Sequence, residues 1–238
     1  MGASAFHGTT MLVLASGSPR RLELIRRIVP DFVSMVSTVE DTGSDRQPPF
    51  DLPPLQLAPP FPVPASQDPR LWAWRKAMDV VETNRNRIAP GTPVLGADTV
   101  VVGPGRLLGK PRDRADALDM LTLLAGIPHY VITGFVILQT TADQPRTLHH
   151  EAVISTVFMR DYSRLELEGY VATSEPYDKA GAYALQGEGG KLVSSVEGCT
   201  NNVVGLPVCA VRRALAACGA EILPYPYGGF CERCNLLG

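Results

Sequence analysis

The stretch MLVLASGSPRRLELIRR, residues 11–27, indicates the class of fold. Residues 11–15 form a short apolar run typical of a buried strand, and apolar residues then recur at helical spacing from 22 to 29. Ser18 suits the N-cap of that helix, and Pro19 falls at its first position, where the missing N–H costs nothing. The sequence therefore predicts a strand that turns directly into a helix.

The turn between these two elements carries groups that bind anions. The hydroxyls of Ser16 and Ser18 and the guanidinium groups of Arg20 and Arg21 join the unpaired N–H groups of a helix start. Two interpretations are open from this stretch alone. The turn is either a phosphate-binding site or the start of a surface helix with solvated arginines.

Length and composition limit the classes of protein to consider. The 238 residues suit one large domain or two small lobes, and 45% hydrophobic content is enough for a core. A formal net charge of −2 without a long basic run argues against a nucleic-acid polymer as partner. No stretch approaches the roughly 18 apolar residues of a membrane span, and the first ten residues do not resemble a signal peptide.

The cysteines favour a reducing compartment. There are five, all within the last forty residues, which is an odd number at low density and no disulfide framework. Cys231 and Cys234 form a CxxC near the chain end, where a solvated tail is favoured over a zinc or redox site. We therefore expect a cytoplasmic protein.

Helical and strand patterns are mixed along the chain. Helices are predicted at residues 19–29, 70–83, 114–125, 161–171 and 207–218. Strands or extended segments are predicted at 32–38, 94–103, 130–138, 152–158, 181–185, 191–196 and 202–205. This mixture indicates an α/β fold with a mixed sheet.

Residues 42–69 interrupt this pattern with a high density of proline. They show neither helical nor strand periodicity and are predicted to be a long loop or a disordered insertion. We expect residues 43–67 to be mobile and their removal to leave the fold intact.

Asp98 stands in an unusual place for a carboxylate. It follows VLGA and precedes TVVV, so it lies within a strand pattern in which acidic residues are disfavoured. A metal ion or the ammonium of Lys110, fixed by the turn GKP, would compensate its charge. A structural ion pair between Asp98 and Lys110 is the alternative interpretation.

A second polar stretch, SEPYDKAGAYALQGEGGKLV, covers residues 174–193. Its glycines and the pair Asp178 and Lys179 indicate a backbone folded around a ligand, or a glycine-rich hairpin. It is not a P-loop, because Leu185 stands where the first glycine is required. The four histidines show no metal-ligand spacing.

Taken together, these motifs resemble one family. They are SGSPRR at 16–21, VSTVED with Glu40, AWRKA at 73–77, GADT at 96–99, LGKP at 108–111, HYVITG at 129–134, EPYDKAGAYALQG at 175–187 and NNVVGLP at 201–207. In this order they resemble the Maf nucleotide pyrophosphatases. The resemblance implies a Maf/Ham1-like (ITPase-like) α/β fold with a mixed sheet, flanking helices and two lobes around a cleft. It places the domain at 11–219, with the insertion inside it and tails at 1–10 and 220–238.

The resemblance also implies a reaction, in which a nucleoside triphosphate is cleaved to its monophosphate and pyrophosphate with Mg²⁺ or Mn²⁺. Glu40 and Asp98 would hold the metal, with Asp41 as the alternative to Glu40 because the long insertion leaves the register open. Asp98 would also accept the proton of the attacking water. The substrate-binding residues would be Ser16, Ser18, Arg20, Arg21, Lys76, Thr99, Lys110 and Gln186, with Asp178 and Lys179 as further candidates.

The same resemblance implies a base preference and an assembly. Thr99 and Gln186 occupy the positions that help set base preference in the family, and this combination is similar to that of the dTTP- and UTP-directed subgroup. A homodimer is expected. The alternatives are a pyrophosphatase for non-canonical purine nucleotides and a nucleotide-binding regulator of cell division. The buried carboxylate of Asp98 favours the enzyme over the regulator, because without a metal it would repel a triphosphate.

Overall fold

One mixed sheet forms the centre of the molecule. The computed structural model describes residues 11–57 and 63–224. In chain order the strands are β1 (Leu12–Ala15), β2 (Phe32–Ser34), β3 (Pro93–Gly103), β4 (Arg106–Leu108), β5 (Pro128–Gln139), β6 (Arg146–Met159) and β7 (Val193–Glu197). They are arranged in the order β2-β1-β3-β5-β6-β7, and β4 pairs with β3. β1 runs parallel to β2 and β3, and all the other pairings are antiparallel.

The helices pack around this sheet. They are α1 (Pro19–Ile25), α2 (Val39–Thr42), α3 (Pro69–Thr83), α4 (Arg114–Leu124), α5 (Arg164–Val171), α6 (Thr200–Val204) and α7 (Val208–Ala217), with short 3₁₀ turns at Ala65–Gln67, Glu175–Asp178, Ala180–Ala182 and Glu188–Leu192. The predicted α/β fold with a mixed sheet and flanking helices is confirmed.

β1 is buried on both faces, as its unbroken apolar sequence predicts. Leu12 and Leu14 pack with residues of α1 and α7 in one hydrophobic cluster. Val13 and Ala15 pack with residues of α3 in another cluster on the opposite face. α1 and α3 therefore pack on opposite faces of the sheet, with β1 between them.

α3 lies unusually close to β3. A Cβ atom at Gly96 would lie 2.1 Å from the carbonyl oxygen of Ala73, so only glycine permits this contact. Asp98 is two residues beyond Gly96 on the same face of the strand, and Lys76 is three residues beyond Ala73 on the helix. The close approach thus places Lys76 beside Asp98.

Two predicted strands are wrong. Residues 181–182 lie in the 3₁₀ turn Ala180–Ala182, and residues 202–204 lie in α6. A short apolar run does not distinguish a strand from a helical turn, and Gly205 ends α6 with a φ of 121°. The sequence reading also misses β4, which pairs with β3 across the turn that contains Gly105.

The proline-rich segment has neither helix nor strand between residues 43 and 57, as its composition predicts. Residues 58–62 lie outside the described part of the chain, as do residues 1–10, residues 225–238 and the CxxC of Cys231 and Cys234.

The described part of the insertion packs against the domain, which argues against the expected mobility. The Phe50 ring stacks on His150 with 3.9 Å between ring centroids. Arg70 Nη2 donates a hydrogen bond of 2.6 Å to the carbonyl oxygen of Pro53. Leu57 is buried in a cluster with residues of β3 and β5. Removal of the segment would expose these contacts, so it would not leave the fold unchanged as expected.

Candidate active site

A cleft opens where β3 lacks a partner on one edge. β1 pairs with β3 only as far as Gly96, and β4 pairs with it only from Val101 onward. Among the described residues, no strand pairs with this edge at 97–100, so a cleft of about 650 Å³ opens there. Its walls contain every sequence-predicted site residue: Ser16, Ser18, Arg20, Arg21, Glu40, Lys76, Asp98, Thr99, Lys110, Asp178, Lys179 and Gln186.

The cleft has two unlike walls. One consists of the β1–α1 turn, α2 and α3, and we call it the helix side. The other consists of residues 175–186 and the turn at Lys110, and we call it the loop side. Within the loop side, a hydrogen bond of 3.0 Å from the Gly181 N–H to the Gly109 carbonyl ties the Lys110 turn to residues 175–186.

On the helix side, one lysine connects the two predicted metal ligands. Lys76 Nζ lies 2.6 Å from Oδ1 of Asp98 and 2.5 Å from Oε1 of Glu40. The side chains of Lys76 and Asp98 are 11% and 12% exposed, whereas that of Glu40 is 54% exposed. Asp98 therefore has a charge partner, but this partner is Lys76 and not Lys110, which corrects the ion pair expected from the sequence.

Glu40 and not its neighbour faces the cleft. Burial acts to raise the pKa of Glu40, but Lys76, Lys110 and Arg21 outweigh it and the net shift is downward. Asp41 is exposed and is not part of the cleft wall. The geometry thus brings Glu40 together with Asp98 and leaves the alternative ligand outside.

The arginine pair and the serines line the same wall. Burial lowers the pKa of Arg21, and the charges of Asp98 and Glu40 act against that shift. The Ser16 hydroxyl accepts a bond of 3.2 Å from the Ser18 N–H, which shapes the turn. Ser18 is at the N-cap of α1, as predicted, although its side chain makes no capping hydrogen bond.

On the loop side, Glu175 fixes the backbone just after Gln186. Its carboxylate accepts hydrogen bonds from the N–H groups of Glu188 (3.1 Å) and Gly189 (2.8 Å) and from the Tyr170 hydroxyl (3.0 Å). Gln186 itself is exposed on the cleft wall. The position of Gln186 therefore depends on the carboxylate of Glu175. In the sequence, Glu175 stands out only as part of the motif at 175–187.

Asp178 and Lys179 form an ion pair with each other on this wall. The Asp178 side chain is 70% exposed and that of Lys179 is 14% exposed. Burial acts to raise the pKa of Asp178, but the hydrogen bond and the charge of Lys179 lower it overall. Lys179 thus enters the cleft with part of its charge already balanced.

A buried histidine contacts the loop side. His129 Nε2 lies 2.7 Å from the hydroxyl of Tyr183, a residue of the cleft wall. Burial lowers the pKa of His129 to about 4, so the ring is neutral at pH 7. The sequence indicated only that this histidine is no metal ligand.

Three residues that hold the helix side were missed from the sequence. Thr133, Asn202 and Gly205 connect β5 and α6 to Arg21 and Thr99 through hydrogen bonds. The available signal was the polar pair Asn201–Asn202 in an otherwise apolar run before a glycine. Buried polar side chains of this kind are almost always hydrogen-bonded, so the pair marks a network.

The donor set fits a hard divalent cation that also binds the substrate. Mg²⁺ and Mn²⁺ prefer oxygen ligands, and Mg²⁺ is commonly held by one or two carboxylates together with phosphate oxygens. Glu40 and Asp98 are two such carboxylates at one lysine. No group of three or more His, Cys, Asp or Glu side chains arranged to hold a metal occurs within residues 11–57 and 63–224.

The chain belongs to the Maf family. The family model described as Maf-like protein matches residues 11–218. The chain is similar to the dTTP/UTP pyrophosphatase of Dictyoglomus turgidum, with 39% identity over 213 residues that cover 89% of this chain and 98% of the relative. It is 38% identical over 209 residues to the dTTP/UTP pyrophosphatase of Geotalea uraniireducens, covering 88% of this chain and 95% of the relative. A third dTTP/UTP pyrophosphatase, from Citrifermentans bemidjiense, is 40% identical over 211 residues, covering 88% and 96% of the two chains.

None of the helices in the described part of the chain is both long and apolar enough to cross a bilayer.

Proposed function

We propose that this chain hydrolyses dTTP and UTP between the α and β phosphates, which releases the nucleoside monophosphate and pyrophosphate. The observation that carries the proposal is the grouping of four cationic side chains around one buried carboxylate in a single cleft. The relatives named above, all dTTP/UTP pyrophosphatases matched over nearly their whole length, support the same reaction. Removal of such nucleotides from the cellular pool is the corresponding biological role.

The four cations are assigned to the triphosphate. Arg20 and Arg21 enter the cleft from α1, Lys76 from α3 and Lys110 from the opposite turn. Charge-assisted hydrogen bonds from these groups would bind the phosphate oxygens and neutralise the pyrophosphate as it leaves. The cleft has a positive charge on both walls, which suits a chain of phosphates lying between them.

Asp98 is assigned to the attacking water. Lys76 binds its Oδ1 at 2.6 Å and holds the carboxylate in one orientation. The other oxygen, Oδ2, is then the acceptor that would orient the water and take its proton.

Glu40 and Asp98 are the residues that would hold Mg²⁺ or Mn²⁺. When bound, the ion would neutralise charge on the triphosphate and favour deprotonation of water. Lys76 lies between the two carboxylates and keeps them a short distance apart, since each is within 2.6 Å of its Nζ.

Gln186 is assigned to the base. Its side-chain amide offers one acceptor and two donors, which match the N3–H and O4 edge of uracil or thymine. Cytosine presents the opposite pattern, so a fixed amide would leave buried groups unpaired. One such mismatch costs about 1–3 kcal/mol, or roughly ten- to a hundredfold in kcat/KM.

A panel of nucleotides tests reaction and base preference together. The purified protein is incubated with UTP, dTTP, CTP, GTP and ITP and with Mg²⁺ or Mn²⁺, and pyrophosphate is assayed separately from orthophosphate. We expect pyrophosphate as the product and UTP and dTTP cleaved at least about tenfold better than CTP. Gln186→Ala should narrow the UTP-to-CTP ratio without changing the product.

The same panel separates the alternatives. Equal kcat/KM for UTP, CTP and GTP, or preference for ITP, would contradict pyrimidine selectivity and favour a pyrophosphatase for non-canonical purine nucleotides. Tight nucleotide binding without turnover would favour a nucleotide-binding regulator of cell division. We also propose a homodimer and a cytoplasmic location, which the family resemblance and the cysteine usage support. Light scattering and fluorescence microscopy of a tagged chain would test them.

A further inference from the structure

The guanidinium group of Arg21 is held along one edge only. Its Nε donates to the carbonyl oxygen of Gly205 at 2.8 Å, and its Nη2 donates to Oγ1 of Thr99 at 3.0 Å. Three of the five N–H donors of an arginine then remain, and the described residues offer them no partner. Because Arg21 lines the cleft, these donors are available to a ligand there.

The hydroxyl of Thr99 belongs to a chain with a fixed direction. Thr133 Oγ1 donates its single hydrogen to the backbone carbonyl of Asn202 at 3.0 Å. The bond of 2.9 Å between Thr99 Oγ1 and Thr133 Oγ1 must therefore be donated by Thr99. Thr99 in turn accepts from Arg21 and has no hydrogen left for a base.

The far end of the chain is anchored in the core. Asn202 is fully buried, and its Oδ1 accepts from the Thr133 N–H at 3.1 Å. Its Nδ2 donates to the carbonyl oxygen of Val131 and to Oγ of Ser155, both at 2.9 Å. These bonds fix α6 on β5 and β6, and with it the two carbonyl groups that position Arg21 and Thr133.

The backbone conformation at residue 205 requires glycine. A Cβ atom there would make ordinary contacts of 3.7 Å with Arg21 Nε and Thr99 Oγ1, but the φ of 121° is one that other residues rarely adopt. Any larger residue would therefore distort the backbone that supplies the acceptor for Nε.

We propose that Thr99, Thr133 and Asn202 are positioning residues for Arg21, and that Thr99 acts on the triphosphate through Arg21. The proposal rests on the proposed function in that Arg21 binds the triphosphate. A misplaced guanidinium would lose bidentate contact with phosphate oxygens, an effect of about tenfold in kcat/KM for every nucleotide.

A double-mutant cycle tests the proposal. Thr133→Val keeps the shape of the side chain and removes the hydroxyl from the chain. We expect it to lower kcat/KM for UTP and CTP by the same factor of about ten, mostly through KM, and Thr133→Ser to restore most of the loss. In an Arg21→Ala background, Thr133→Val should have no further effect, because it acts only through Arg21. Thr99→Val should behave in the same way.

A control and a direct measurement accompany the cycle. Thr140→Val removes an equally buried threonine hydroxyl that bonds the backbone of residues 89 and 92, away from the cleft, and should leave kcat/KM unchanged. In the free protein labelled with nitrogen-15, the Arg21 Nε–H should exchange slowly with water, and Thr133→Val and Thr99→Val should each accelerate this exchange.

Three results would overturn the proposal. One is a further loss from Thr133→Val in the Arg21→Ala background, which would mean a general structural role. Another is a Thr99→Val variant with wild-type kcat/KM for both nucleotides, which would mean that Thr99 does not position Arg21. The third is an Arg21 Nε–H that exchanges at the same rate in all variants. If the wild type releases no pyrophosphate at all, the proposed function fails, and the exchange measurement still decides whether the chain positions Arg21.

Discussion

The two walls of the cleft are built on different principles. The helix side takes its functional groups from the central sheet and from three helices, and its charged groups contact one another directly. The loop side contains two 3₁₀ turns, one of which includes Ala182 with a positive φ of 61°, and a few polar side chains hold it in place. Under the proposed function, the chemistry would depend on individual charges, whereas base selection would depend on a few hydrogen bonds that hold a loop.

The largest expected effect is on the helix side. Asp98→Asn keeps the size of the side chain but removes the proton acceptor and the charge partner of Lys76. We expect kcat to fall by on the order of a hundredfold or more while the fold is retained. Steady-state kinetics with saturating metal, together with circular dichroism, would measure both.

Asp116→Asn is the matched control for this change. The Asp116 side chain is 10% exposed and pairs with Arg112, so it resembles Asp98 in burial and charge but lies on α4 away from the cleft. The kcat of Asp116→Asn should equal that of the wild type. A folded Asp98→Asn variant with wild-type kcat would mean that Asp98 takes no part in the chemistry. The two walls would then not differ in this respect.

The second effect concerns the support of the loop side at low pH. Folding lowers the pKa of His129 from 6.5 to about 4, so the unfolded chain takes up the proton first as the pH falls. This part of the stability is complete above pH 6.5 and is lost between pH 6.5 and 4. We expect the free energy of unfolding to fall by about 2 kcal/mol from this group between pH 7 and pH 5.

Urea denaturation of the wild type and of His129→Gln at the two pH values would measure this difference. Glutamine can still form a hydrogen bond with the Tyr183 hydroxyl but does not titrate. Between pH 7 and pH 5, the free energy of unfolding of His129→Gln should therefore fall by about 2 kcal/mol less than that of the wild type. An equal pH dependence in both proteins would mean that His129 does not carry the proton linkage.

The third effect separates selectivity from rate. Glu175→Gln replaces a carboxylate that accepts two backbone N–H bonds beside Gln186 with a neutral amide. We expect the UTP-to-CTP ratio of kcat/KM to fall by about tenfold, the loss of roughly one charge-assisted bond, while kcat for UTP changes little. Kinetics with both nucleotides would measure the ratio.

Glu166→Gln provides the comparison for Glu175→Gln. Glu166 also accepts a backbone N–H, from Ser163, but it does so at the start of α5 outside the cleft. The UTP-to-CTP ratio of kcat/KM in Glu166→Gln should stay at the wild-type value. A large loss of kcat with an unchanged ratio in Glu175→Gln would mean that the loop side serves the chemistry as well.

The smallest effect concerns the insertion behind the helix side. Phe50→Ala removes the stacked contact with His150, which is worth about 1 kcal/mol for an aromatic pair. We expect that loss of stability, together with faster proteolysis within residues 43–57. Leu165→Ala, at a side chain that is 78% exposed, should change neither. Unchanged stability and proteolysis in Phe50→Ala would support the prediction from the sequence that this segment is mobile.

The sequence predicted the helix side better than the loop side, for a physical reason. The strand and helix around residues 11–27 have clear apolar periodicity, and their boundaries at Leu12–Ala15 and from Pro19 follow from it. Residues 181–185 have no such period, because glycine and 3₁₀ geometry determine their path. A strand was predicted there and was not found.

The partner of Asp98 could not be predicted in the same way. Lys110 is twelve residues from Asp98 and Lys76 is twenty-two, so sequence proximity favoured the wrong lysine. The choice depends on the contact between Gly96 and Ala73, which brings α3 against β3. A contact between distant segments of this kind leaves no local pattern in one sequence.

The pair Asp98 and Thr99 has a consequence for how the protein tolerates length changes. The two neighbours point to opposite faces of β3, where Asp98 meets Lys76 and Thr99 meets Arg21. A slip of the strand by one residue would exchange the carboxylate and the hydroxyl, while the valines that follow would still supply apolar side chains on both faces. Such a slip would also move Gly96 away from Ala73, where only glycine permits the contact, so a single-residue deletion here would disturb both the site and the packing of α3 on the sheet.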